Sequence, residues 1–141
     1  MTRRRLFLVM AAAPLLRADE AQDVRDFFGQ LVSALSEGNA DQFLRGFDRS
    51  MPGYEMLAVN VAALLERADV QSSVEVLSDE GTDSRRMLEL DWFLQFVEVQ
   101  AAGGSTQRRE QVHCTLARQG KKWRITALEP LSLFAPPGVA R

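Results

Sequence analysis

With one cysteine, one histidine and one tyrosine in 141 residues, the sequence has little of what most protein chemistry requires, and each scarcity removes a class of function. Cys114 has no second cysteine to pair with, so no intrachain disulfide can form and the fold must be held by its core alone. A catalytic thiol would need a nearby base and an electropositive setting; a lone cysteine in a strand reads first as a small buried apolar residue. One histidine, one cysteine and scattered carboxylates do not supply the three or four clustered ligands of a zinc site, so neither a metal nor another cofactor is expected. There is no glycine-rich phosphate loop, no Gly-x-Ser-x-Gly elbow and no His-Glu-x-x-His pair. Nor is there an apolar run of the ~20 residues needed to span a bilayer.

Positive charge is scarce too, once its position is considered. The chain carries 17 basic and 19 acidic side chains, but Arg3, Arg4, Arg5 and Arg17 stand in an N-terminal segment without a single acid. Without them 13 basic side chains face 19 acidic ones, a net charge of −6. Nucleic acid and anionic lipid both require a cationic footprint, so neither is an expected partner of the mature domain, which is not membrane-embedded. The N-terminal segment itself reads as an export signal over residues 1–18. Thr2-Arg3-Arg4-Arg5 is a charged start, and Leu6 to Leu16 is an apolar run interrupted by Pro14, of the length of a signal-peptide core. Leu16-Arg17-Ala18 offers a cut ahead of Asp19, and Arg4-Arg5-Leu6-Phe7-Leu8 matches the twin-arginine pattern. The expected location is periplasmic or extracellular, by the general or the twin-arginine route. No cysteine ends the apolar run, which excludes a lipoprotein anchor.

What remains is a globular composition, with 46% hydrophobic and 26% charged residues. Asp19 to Glu37 has Val24, Phe27, Phe28, Leu31, Ala34 and Leu35 at helical spacing, and Gly38 is a natural stop. Asn39 can cap a short second helix, with Gln42 three residues on and Phe43, Leu44 and Phe47 as its apolar side. Ser50-Met51-Pro52 is expected to start a third helix, with proline in its first turn. Tyr54, Leu57, Ala58, Val61, Leu64, Leu65 and Ala68 form its buried stripe.

After Ala68 the period becomes two. Strands are expected over Val70 to Leu77, Asp83 to Val99, Thr106 to Arg118 and after a Gln119-Gly120 turn. Leu88, Leu90, Trp92, Leu94 and Phe96 share one face with Val112, Cys114, Leu116, Trp123, Ile125 and Ala127. Pairing Arg118 with Lys121 sets Leu116 opposite Trp123 and Cys114 opposite Ile125; pairing Trp92 with Cys114 keeps the face apolar across three strands. The opposite face is mainly polar and solvated, with Asp91, Thr115 and Arg124 in one row. The fold class is therefore α+β: three N-terminal helices packed on the concave face of a bent four-stranded antiparallel sheet, spanning 19–134 as one domain, with a flexible tail over 135–141.

This order resembles the nuclear transport factor 2-like superfamily, the cone-shaped fold of ketosteroid isomerase and polyketide cyclase-like proteins. The resemblance rests on Glu37-Gly38-Asn39-Ala40 leading to Phe43, on Asp91-Trp92, and on Gly120-Lys121-Lys122-Trp123-Arg124-Ile125, and it covers Asp19 to about Phe134. It implies a cavity between the helices and the concave face, which in catalytic members holds an acid or base such as an Asp with a tyrosine or acidic donor opposite it. Here the residues assigned inward contain no general base. The cavity lining read from the sequence is Tyr54, Met56, Leu90, Trp92, Cys114 and Trp123, with no catalytic residue among them. His113 falls on the outer face and reads as an ordinary surface imidazole, with Asp91 nearer Arg124 than to it.

Two functions follow. The first is an exported non-catalytic domain that binds a small apolar ligand or a protein partner, with Tyr54 orienting the ligand at the cavity mouth. The alternative is an isomerase- or cyclase-like enzyme acting on a small hydrophobic substrate, its acid or base coming from a position such as Glu55 or Asp69. Phe93, Val97 and Val99 on the outer face suit a homodimer through the sheet. For the leader, N-terminal sequencing of protein from the periplasm is expected to begin at Asp19; a mature chain that still starts at Met1 counts against export.

Overall fold

A computed structural model describes residues 20–100 and 105–138 of the chain; the expected signal peptide lies outside the described residues. Helices α1 (20–36), α2 (Ala40–Leu44) and α3 (Tyr54–Arg67) precede strands β1 (Ala68–Gly81), β2 (Arg85–Glu98), β3 (Thr106–Gln119) and β4 (Lys122–Glu129), and a 3-10 turn at Leu131–Phe134 follows. The expected α+β architecture is the one observed. The strands form a single antiparallel sheet in the order β1-β2-β3-β4, and the helices cover one of its faces.

The helix boundaries have local causes. Helix α1 ends where Asn39 N–H donates to the Ala34 carbonyl and Gly38 N–H to Leu35, the paired bonds that close a helix C-terminus. The Asn39 side chain then accepts from the Gln42 N–H at 3.0 Å and starts α2. Helix α3 begins later than expected, at Tyr54 rather than in Ser50-Met51-Pro52. Gly53 stands before it at φ +83, a left-handed conformation that ends the preceding turn, so Pro52 belongs to that turn and Met51 is buried beneath it. The stripe of Leu57, Val61 and Leu64 is buried as the spacing requires, with Tyr54 and Leu65 half-buried beside it.

Between α2 and α3 the chain runs along the open edge of β4. Ile125 N–H donates to Gly46 O at 2.7 Å, Asp48 N–H donates to Ile125 O at 2.8 Å, and Phe47 pairs with Ile125 in parallel. An unpaired sheet edge is an aggregation risk, and this segment blunts it. The chain passes close to α1 at Gly46: a Cβ there would lie 2.6 Å from Leu31 Cδ2, so the buried Leu31 side chain would have to shift to admit one.

The face assignment holds and the pairing does not. Leu88, Leu90, Trp92, Leu94, Phe96, Val112, Cys114, Leu116, Trp123 and Ile125 are all buried in one core. Trp92, however, pairs with Glu110 instead of Cys114, which pairs with Leu88. The β2–β3 register is thus displaced by four residues from the expected one. An even displacement leaves every side chain on its own face, so the apolar alternation could not have chosen between the two. The final hairpin turns at Gly120-Lys121 with Gln119 paired to Lys122, so Leu116 meets Ile125 and Arg118 meets Trp123. A bulge then follows in β4, where Thr126 is the extra residue between Ile125, paired with Leu116, and Ala127, paired with Thr115; it lets Leu128 replace Ala127 as the next buried residue of β4, and Ala127 is exposed. A second register shift lies between Val76 and Ser78 in β1.

Arginines tie the inner face to the segments that cover it at both ends. Arg86 donates to Glu20 of α1 at 3.0 Å, to Asp79 at 2.5 Å and to the Thr82 carbonyl at 2.8 Å. Arg108, on the inward side of β3 and 7% exposed, donates from one guanidinium nitrogen to Leu133 O at 2.9 Å and Ala135 O at 2.6 Å, with its plane over the Phe96 ring. The packed chain consequently runs past the boundary expected at Phe134. Ala135 and Pro136, assigned to a flexible tail, are buried, because the guanidinium holds the turn and the residue after it against the sheet. Arg108→Ala would leave two carbonyls without their charged donor. It is expected to lower stability by about 2–4 kcal/mol in urea unfolding, whereas Arg109→Ala, on the exposed side of the same strand, should change it by less than about 1 kcal/mol. Equal effects would show that Arg108 does not hold the turn.

Candidate functional site

The space between helices and sheet is occupied by the chain's own rings. Trp92, fully buried at its centre, is met edge-on by Phe28 at 6.0 Å, Phe43 at 6.5 Å and Phe134 at 5.1 Å between centroids. Its indole N–H donates to Ser72 Oγ at 2.8 Å, and that hydroxyl donates to the Phe93 carbonyl at 3.1 Å. The one polar atom of the ring is thereby satisfied by the neighbouring strand, and Trp92 is held in place. Leu90 and Cys114 lie in the same core, and burial pushes the Cys114 thiol well above its ordinary range, so it stays protonated and inert.

The six residues read as cavity lining are not brought together. Leu90, Trp92 and Cys114 belong to the packed interior. Tyr54 is half-buried on α3 and borders an open cleft with Asp48, Arg49 and Arg124. Trp123 borders another cleft, beside Phe27 and Arg118. Met56 is 64% exposed and turns away from the core: it stands one residue from Leu57, about 100° round the helix from the buried stripe. Glu55 and Asp69, the alternative acids, are exposed.

Inward polar side chains on β3 were missed. Arg108 and Glu110 have the same parity as Val112 and Cys114, and they lie opposite Leu94 and Trp92. The inner face therefore carries a buried cation and a half-buried carboxylate at the end of β3 nearest the 3-10 turn. Even numbering alone would have found them; the apolar run of Val112, Cys114 and Leu116 ended the inward assignment too early. Among the described residues no group of three or more His, Cys, Asp or Glu side chains could hold a metal ion, and no helix is long and apolar enough to cross a membrane.

Helices α1 to α3 packed over one face of a curved antiparallel sheet, with the chain end closing the inner space, give a shape that other solved proteins share. A conserved protein from Planctomyces limnophilus superposes with a TM-score of 0.69 at 11% identity, over 79% of this chain and 94% of that one. A nuclear transport factor 2-like superfamily protein from Salmonella enterica gives 0.62 at 12% identity, over 79% and 89%. The chain has the nuclear transport factor 2-like fold. A hexachlorocyclohexane dehydrochlorinase from Novosphingobium barchaimii shares it at a TM-score of 0.61 and 13% identity, over 82% of this chain and 87% of that one. No family model and no curated protein matches the sequence.

On the outer surface of this nuclear transport factor 2-like sheet, His113 is largely exposed, as its parity requires. It pairs with Glu89 on β2 and Glu129 on β4, and its Nδ1 meets the Glu89 carboxylate. Gln111 Nε2 donates to the other Glu89 oxygen at 3.1 Å. These bonds, that of Gln111 first, hold the Glu89 carboxyl below its ordinary 4.5. Asp91 lies beside Arg109 at 3.4 Å rather than beside Arg124. At the end of the cone, the Ser50 hydroxyl at 2.6 Å and N–H at 2.8 Å, with Gln119 on the other oxygen at 3.1 Å, hold Asp48 below its ordinary 3.8. A carboxyl with a depressed folded value stabilises fully above its unfolded value and loses that contribution as pH falls through the folded one. Asp48→Asn and Glu89→Gln should therefore each lose less thermal stability than the parent on acidification from neutrality to about pH 3. Melting temperatures that fall in parallel with the parent's would show that these bonds do not matter in solution.

Proposed function

We propose that the chain is an exported, non-catalytic domain that binds a small ligand or a protein partner at its surface instead of converting a substrate inside the cone. The observation that supports this is the filled interior. A small apolar ligand in the cone would have to displace Phe28, Phe43 or Phe134 from Trp92. Reopening a close-packed aromatic cluster forfeits contacts that the ligand would have to restore. The charged N-terminal segment followed by an apolar run supports export. A homodimer through the outer sheet face is part of the same reading, supported by exposed Met87 and Leu77 and by half-buried Phe93.

A specific observation favours a second reading. Glu110 presents a carboxylate on the inward side of β3 opposite Trp92, which is the kind of group an isomerase- or cyclase-like enzyme needs for proton transfer on a small hydrophobic substrate. The dehydrochlorinase of the same fold is an enzyme, which makes this reading admissible for the fold; at 13% identity it lends this chain no substrate.

Native mass spectrometry of the protein purified from its own periplasm distinguishes these readings. The expected result is the mature chain carrying a small molecule, a second copy or a partner, retained equally by the parent and by Glu110→Gln. A bare monomer would overturn the binding function, and a small molecule lost with Glu110→Gln would favour the enzyme.

A further inference from the structure

Between α1, α2 and the β3–β4 turn lies an open cleft of about 580 Å³, within the ~300–1,000 Å³ typical of small-molecule sites. Its charge is opposite to that of the mature domain. Arg45, Arg118, Lys121, Lys122 and Arg124 border it, against only Asp23 and Asp26. One weak ion pair, Arg118 to Asp23 at 4.0 Å, uses part of that charge. The side-chain heads of Arg45, Lys121 and Lys122 make no hydrogen bond or ion pair among the described residues.

The floor gives an independent indication. Trp123 is 6% exposed, and the Arg118 guanidinium lies over its ring at 4.5 Å. The indole N–H of Trp123 and the Nε–H of Arg118 are both buried without an acceptor. Buried donors are nearly always paired, and here two unpaired ones sit together beneath unpaired cations. Trp92, the other tryptophan, has its N–H bonded to Ser72, so the defect is local to the cleft.

We infer that this cleft binds a small organic carboxylate, its anionic group taken by Arg118 and Lys122 with the Trp123 N–H, and its apolar body laid against Phe27 and Leu31. A planar carboxylate suits the guanidinium fork and a neighbouring ring N–H. Asp23 and Asp26 on the α1 side oppose a multiply charged phosphate, and the apolar floor requires an organic body. The Trp123 N–H is buried, so the side chains over it must shift for the carboxylate to reach it. The inference rests on the reading of the domain as a surface binder.

The test is a titration of the ¹⁵N-labelled mature chain with benzoate, phenylacetate and hexanoate, followed by the two tryptophan indole N–H resonances. At least one carboxylate is expected to move the Trp123 resonance saturably at millimolar concentration while that of Trp92 stays still. Benzamide and inorganic phosphate should have no such effect. Lys122→Gln, an exposed substitution, should weaken the effect by about tenfold, and Arg118→Gln by at least as much with the Trp92 resonance unchanged. Absence of a Trp123 shift with all three, or an equal shift with benzamide or phosphate, would overturn the site while leaving surface binding elsewhere intact. Movement of the Trp92 resonance would overturn both, because it would place the ligand inside the cone.

Discussion

The indole of Trp92 is the point on which the molecule's geometry depends. It stands at the centre of the inner sheet face, and a hydroxyl of β1 satisfies its only polar atom. A ring from α1 (Phe28), one from α2 (Phe43) and one from the 3-10 turn (Phe134) each meet it edge-on. Elements distant in sequence thus converge on one side chain, and the directional preference of aromatic edges fixes how each of them approaches. The same convergence fills the space that a cone-shaped fold could leave open.

The arginines at the two ends of the inner face follow from that arrangement. A sheet face that is apolar in its middle must meet solvent at its margins, and the margin positions of even parity include Arg86 on β2 and Arg108 on β3. Each has enough donors to satisfy several oxygens at once, so each ties a covering segment to the sheet: the start of α1 in one case, the end of the 3-10 turn in the other. Were Arg108 a leucine, the face would be more apolar, but the carbonyls of Leu133 and Ala135 would lose their charged donor.

What could be read in advance was the information carried by periodicity. The stripe from Leu57 to Leu64, the stop at Gly38, the cap at Asn39 and the inward face from Leu88 to Phe96 all depend on spacing, and spacing is visible in a sequence. Register is different. Moving β3 by four residues against β2 keeps every Leu and Val on the same face, so the choice rests on what the strand ends meet. Arg108 must reach the turn after β4, which no local pattern announces. The bulge that puts Leu128 inside and Ala127 outside is likewise invisible to strict alternation, which extends a parity past the residue where the strand breaks it. For the site the division is similar. Cys114 as an inert buried thiol and His113 as a surface imidazole follow from parity, whereas the pairing of His113 with Glu89 follows only from the true register. Met56 was placed by proximity to Tyr54 in sequence, and a helix turns about 100° between neighbours.

Filling the cone relocates the chemistry that the fold can offer. Inside, Arg108 is committed to two carbonyls and Glu110 stands at the margin. Outside, the domain is acidic, and a cation on such a surface would ordinarily find a carboxylate partner. Instead the final hairpin crowds Arg118, Lys121, Lys122 and Arg124 into seven residues with no acid between Thr115 and Glu129, and folding adds Arg45, just after α2, to the same rim. Like charges held together repel and cost stability unless they are screened or matched. Their persistence beside a buried indole N–H and a buried guanidinium Nε–H that lack acceptors is what a filled-core protein would show if an anion completed the rim.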